Sequence, residues 1–332
     1  MYKHKPTVVC LMVVFLSFIG WSSLGGTVLQ IGQIVEVDRQ ESQLPYTYFY
    51  YIPSSVHPEE TVYIMHIATA SPPLNDISEA DEWARGQLEN YVMANLLDEA
   101  RFIGFTVAVP HWIKTDDRSG CACVLQVDNF ISSRVKSQYY RPDIKFIQIL
   151  RHFMSALKEA GFSPAERLLV TGTSGGGMWA HRFTLLHPEL VEAVAPGSCP
   201  LWTMPVKNYA GRPMPYQLGV AHLERFGLKP FDPARLANIP FLVFIGSEDT
   251  NDPFREAPPG GTYGYTRSEI NWYIRCFGRS PQERSQSFCD LLNGCGIPCE
   301  YKEFPGIGHM LTFRIKETVV NFFRQVVNSN YP

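Results

Sequence analysis

The chain has no surplus of positive charge: 29 Lys and Arg stand against 32 Asp and Glu in 332 residues, a net charge of −3. With nothing spare to neutralise a phosphate backbone, the nucleic-acid-binding class is excluded. Long apolar runs are missing too. The most apolar stretch, Val8 to Ile19, is about a dozen residues, short of the ~20 needed to span a bilayer. Charged residues are few at 18%, against 45% hydrophobic, so a disordered or fibrous chain is excluded and a sizeable core is expected. There is no internal repeat, low-complexity tract or inter-domain linker, and one large domain is the economical reading. Cysteine is sparse, at eight residues. The Cys-x5-Cys-x3-Cys spacing from Cys289 to Cys299 lacks a fourth ligand at finger-like distance, so no metal site is expected.

What is present begins with an export pattern. Lys3 and Lys5 form a short basic start, the apolar stretch follows, and Ser22-Ser23-Leu24-Gly25-Gly26 supplies the small residues that a signal peptidase requires. Residues 1–26 are read as a signal peptide and 27–332 as a single domain, secreted or periplasmic; an uncleaved N-terminal anchor is the alternative. No stable membrane insertion is expected once the signal is cleaved. In an oxidising compartment the remaining seven cysteines are disulfide candidates, above all the group from Cys276 to Cys299 around a polar excursion. Seven is odd, so at least one thiol is free or pairs with another chain.

From about residue 28 the pattern alternates strands and helices. Val28 to Val37 and Tyr46 to Ile52 suit early antiparallel strands, whereas Thr61 to Ile67 and Phe105 to Val109 are compact apolar runs of strands buried on both faces. Four more strand candidates follow: Arg167 to Thr171, Val191 to Ala195, Phe241 to Ile245 and Glu300 to Phe304. Helical spacing marks Glu79 to Ala100, with Ser78 as its cap, then Asp143 to Ala160 and Thr312 to Val327. This order predicts an α/β fold, a mostly parallel central sheet with helices on both faces. The alternation breaks around residues 199–240, a stretch rich in Pro, Gly and rings that reads as a cap-like insertion.

The informative stretch runs from Arg167 to Phe183. It holds Gly-x-Ser-x-Gly as Gly172, Ser174 and Gly176, after an apolar strand and before a helical pattern. A serine on so sharp a turn has a strained backbone, and glycines two residues to either side remove the crowding. Its hydroxyl then projects above the sheet, where the following helix directs its N-terminal dipole at developing negative charge. Ser174 is the candidate nucleophile. A serine needs a base, and of the nine histidines His309 is best placed, on a Gly-flanked loop after the last strand. His181 would sit two helical turns beyond Ser174, facing away. The orienting acid should follow a strand between these two. Asp249 is the choice, with Asp252 in reserve and Glu248 third. Gly175 N–H supplies one oxyanion donor.

These residues resemble the α/β-hydrolase superfamily, and most nearly its secreted branch of polyhydroxyalkanoate depolymerases, feruloyl esterases and acetylxylan esterases. The likeness covers roughly residues 45–325 and is strongest from Pro164 to Met178, His187-Pro188 and Val191 to Pro196. It implies a Ser-Asp-His hydrolase that forms an acyl-enzyme, needs no metal or organic cofactor, and acts on a small-molecule or polymeric ester. It also implies His-Gly after the third strand, where this chain reads His66-Ile67-Ala68, so Ala68 or Ile67 becomes the second oxyanion donor, with Ala68 preferred. Trp112, Trp202, Met178 and Trp179 are candidates either for a pocket wall or for ordinary core, and only Trp202 leans towards substrate binding. Two other readings share the pattern: a serine peptidase of the prolyl-oligopeptidase kind, and a binding protein that keeps the fold without turnover.

Overall fold

The computed structural model describes residues 23–24, 27–70, 76, 78–110, 122–255 and 265–329. Trp112, Cys121 and nearly all of the expected signal lie outside the described residues. Eight strands build the main sheet: β1 (Ile34–Val37), β2 (Tyr48–Tyr51), β3 (Thr61–Ala68), β4 (Phe102–Val107), β5 (Leu168–Thr173), β6 (Val191–Gly197), β7 (Phe241–Gly246) and β8 (Cys299–Phe304). They lie side by side in the order β1-β2-β4-β3-β5-β6-β7-β8, and the short piece Ser163–Pro164 pairs with the start of β3. β2 alone runs against the others, pairing antiparallel with β1 and with β4; β3 to β8 run parallel to one another.

Side chains alternate across a strand, so a strand buried on both faces serves two cores. Val62, Ile64 and Ala68 of β3 point to one core and Met65 and Ile67 to the other; β7 divides likewise, Phe241 and Val243 against Leu242 and Phe244. The first core is closed by α3 (Pro142–Glu159), α4 (Gly175–Leu186), α5 (Arg267–Phe277) and α6 (Pro281–Gly294). The second is closed by α1 (Ser78–Val92), α2 (Leu96–Ala100) and α7 (Phe313–Ser329). The predicted mostly parallel sheet with helices on both faces is thus what the chain forms. No helix among the described residues is long and apolar enough to cross a membrane.

Two details differ from the sequence reading. The single helix expected from Glu79 to Ala100 is broken, because Asn95 takes a left-handed conformation (φ 58°) that its short polar side chain tolerates. The apolar spacing runs on across the break because Leu88, Leu96 and Leu97 face the same core. Ser78 is the first residue of α1 rather than its cap: its N–H and its hydroxyl both donate to Asp76 Oδ1, at 2.8 Å and 2.7 Å.

The stretch 199–240 between β6 and β7 is irregular chain laid against α4 and α6. Trp202, Met204, Met214 and Leu218 are buried in the first core. Arg182 of α4 is fully buried beneath it and donates from Nε to Thr203 Oγ1 at 3.0 Å. This added layer explains why α4 is buried on every side and apolar almost all round. Cys289 and Cys299 form a disulfide between α6 and the first residue of β8. Closing a loop of that length restricts the unfolded chain by about 3 kcal/mol.

A buried ion pair ties the end of α4 to the start of α3, with His187 Nε2 3.0 Å from Asp143 Oδ2. Burial opposes a charge on His187, but the Asp143 and Glu189 carboxylates outweigh it and raise the imidazole pKa. A histidine whose pKa is higher folded than unfolded contributes its full stabilisation below about pH 6.5 and loses it as pH rises through the raised value. The difference in Tm between wild type and His187→Gln should therefore be largest near pH 6 and shrink towards pH 9. A difference independent of pH would contradict the pairing.

Candidate active site

Parallel strands end at one edge of a sheet, so the loops that follow β3, β5, β7 and β8 converge there whatever their separation in sequence. Ser174 stands between β5 and α4, with φ 59° and ψ −123°, a region that costs a non-glycine residue of order 1–3 kcal/mol. The flanking packing makes the turn possible. A Cβ on Gly172 would lie 2.4 Å from the Gly176 carbonyl, and one on Gly176 would lie 2.3 Å from Ala68 O. Both contacts are with backbone, which cannot swing aside. Gly175 opens α4, where the first N–H has no intrahelical partner. Ala68 ends β3 in register with Gly172.

Asp249 lies on the turn after β7, buried, and His309 on the loop between β8 and α7. His309 Nδ1 donates to both Asp249 oxygens, at 3.0 Å and 2.9 Å. Asp249 also accepts from the Asn251 backbone N–H at 3.0 Å and from the Ser198 hydroxyl. Burial alone would raise this carboxyl, but the bonds from His309, Asn251 and Ser198 prevail and hold it below the usual carboxylate range. It therefore stays ionised at neutral pH. The other two acids stand elsewhere. Asp252 Oδ2 pairs with the buried Arg284 guanidinium at 2.7 Å, and Glu248 is exposed.

Ser174, Gly175, Ala68 and His309 line one cavity of about 660 Å³. Its wall is apolar at Ile67, Val124, Met178, Phe254 and Leu311, with Trp83 and Met310 at 41% and 60% exposure on the rim. No Asp, Glu, Lys or Arg among the described residues lines it. Among the described residues, too, no group of three or more His, Cys, Asp or Glu is placed to hold a metal ion.

The expectation for Trp202 is corrected. It is fully buried, stacked on Phe288 at 4.5 Å between centroids, and donates from Nε1 to Ser285 Oγ at 3.2 Å. Of the 199–240 stretch only Pro200 reaches the cavity. Trp179 is core as well, stacked on Phe183, whereas Met178 does reach the cavity wall. His181 is buried, held by Gly177 O and Thr203 N–H, and burial lowers its pKa well below the ordinary value. His66 is likewise packed inside β3, against Phe146 and Trp179, and burial lowers its pKa to about 3. Since β3 runs two residues beyond His66, the segment that meets the Ser174 turn is Ala68 to Ala70. Sequence reasoning missed Asn251 and Ser198. Asp249-x-Asn251 is a spacing at which a carboxylate caps the N–H two residues on, and a serine directly after a parallel strand falls at the same sheet edge.

No protein-family model matches the chain, and no curated protein is similar to it. Among solved structures it is similar to a poly(3-hydroxybutyrate) depolymerase from Bordetella parapertussis, with 14% identity, a TM-score of 0.54, and coverage of 91% of this chain and 90% of that one. A ferulic acid esterase aligns at 14% identity and a TM-score of 0.48, over 89% and 97% of the two chains. At such identity the likeness is one of fold. The chain has the α/β-hydrolase fold.

Proposed function

We propose that this protein is an exported serine hydrolase that cleaves carboxylic esters through Ser174, Asp249 and His309. The observation that carries the reading is the Asp249–His309 pair beside a serine on a strained strand-to-helix turn, with serine and histidine opening on one cavity. Both Asp249 oxygens accept from Nδ1, so Nδ1 carries the proton and Nε2 bears the lone pair that would act as base.

In the proposed reaction Ser174 Oγ bonds to the ester carbonyl carbon while its proton passes to His309 Nε2. The carbonyl oxygen, now negative, is held by Gly175 N–H, with the Ala68 N–H proposed as second donor. The tetrahedral species collapses by breaking the bond to the alcohol oxygen, which takes the proton from Nε2. Water, deprotonated by His309, then releases the acid and restores Ser174. Asp249 keeps the ring in its tautomer and stabilises the imidazolium. The wall, uncharged among the described residues, supports a neutral ester, small or a polymer end, as substrate. Export rests on the basic-then-apolar pattern of residues 1–26 and is supported by the Cys289–Cys299 disulfide.

The test is hydrolysis of p-nitrophenyl esters of increasing acyl length, beside the matching p-nitroanilides and an ester with a carboxylate on its acyl chain. Neutral esters should be cleaved and the charged one poorly. Cleavage of anilides in preference to esters would favour a peptidase, and no turnover of any substrate would favour a binding protein.

A further inference from the structure

The nitrogen expected to serve as base is already occupied. Asn251 Nδ2 lies 3.0 Å from His309 Nε2. Because Asp249 fixes the proton on Nδ1, a neutral His309 offers Nε2 only as an acceptor, so the Asn251 amide must present its N–H there. The same residue's backbone N–H donates to Asp249 Oδ1 at 3.0 Å. One short turn therefore contacts the acid directly and caps the far side of the ring. Asn251 also lines the cavity that holds Ser174. Among the described residues Asn251, not Ser174, is the hydrogen-bond partner of His309 Nε2. An imidazole nitrogen has one in-plane lone pair, so the Asn251 amide and the Ser174 hydroxyl compete for it.

Resting on the serine-hydrolase reading above, we propose that Asn251 is a positioning residue that caps His309 Nε2 in the empty site. Substrate entering between Ser174 and His309 displaces the amide, and Nε2 passes to the serine. The bond holds the ring in its working tautomer while the site is empty and lowers the reactivity of Ser174 until the cavity fills. A neutral hydrogen bond of ordinary net strength corresponds to about a five-fold effect on rate.

Asn251→Ala and Asn251→Leu separate the bond from the space, since leucine keeps most of the bulk without the donor. Two readouts apply: the rate of inactivation by a small fluorophosphonate, and the ¹⁵N resonance of His309 Nε2, identified by its loss in His309→Gln. The expected result is inactivation about five-fold faster in both variants, with the Nε2 resonance moved and the Nδ1–H resonance kept. Inactivation no faster than wild type in both variants, or an unmoved Nε2 resonance, would overturn the proposal. So would acceleration in Asn251→Ala alone, which would mean added room rather than a lost bond. Failure of all three proteins to react would instead sink the hydrolase reading, and this proposal with it.

Discussion

Ester turnover by Ser174→Ala is expected to fall by about 10⁵-fold or more, with the fold intact. The hydroxyl is the atom that bonds to the acyl carbon, and no neighbour replaces it. Thr173, the adjacent residue, has its Oγ1 buried within the packing. Alanine fits where Ser174 stands as well as serine does, because the strain lies in the backbone. Tm should therefore change little while kcat collapses. A variant that keeps more than about a hundredth of wild-type kcat/KM would remove Ser174 from the reaction, because a nucleophile's loss has far larger effects.

Asp249→Asn should lower kcat by about 10⁴-fold for a different reason. The carboxylate accepts from three directions: His309 Nδ1, the Asn251 N–H and the Ser198 hydroxyl. An asparagine has one acceptor oxygen, which the fixed backbone N–H of Asn251 claims. Its NH₂ then faces His309 and forces the proton onto Nε2, so the ring can no longer accept from serine. Stability provides an independent check. A carboxyl held below its unfolded value stabilises the fold above about pH 3.9 and loses that contribution as pH falls through the folded value. The stability advantage of wild type over Asp249→Asn should thus narrow in acid. Near-wild-type turnover in this variant would show that another group orients His309.

The strands were legible because β3, β5 and β7 are largely apolar runs that serve two cores, as a sheet covered on both faces requires. The Ser174 turn was legible for a local reason: the glycines are demanded by backbone contacts within the same dozen residues and by the neighbouring strand end. Asp249 and Asp252 could be ranked but not separated from sequence, because what removes Asp252 is Arg284, in a helix 32 residues further on. Trp202 failed similarly. An aromatic-rich insertion looks like a pocket wall until Phe288 and Ser285 of α6 are seen to cover it. Asn251 and Ser198 went unread because asparagine and serine after strands are common, and only the position of the imidazole gives these two a role.

The most direct measurement is the mass of the protein and of its peptides after treatment with a fluorophosphonate, which reacts with an activated serine. The expected result is a single adduct on the peptide that contains Ser174, formed by wild type, slowed by Asp249→Asn and missing from Ser174→Ala. No adduct on wild type, or one that persists in Ser174→Ala, would contradict the assignment of this site as that of a serine hydrolase.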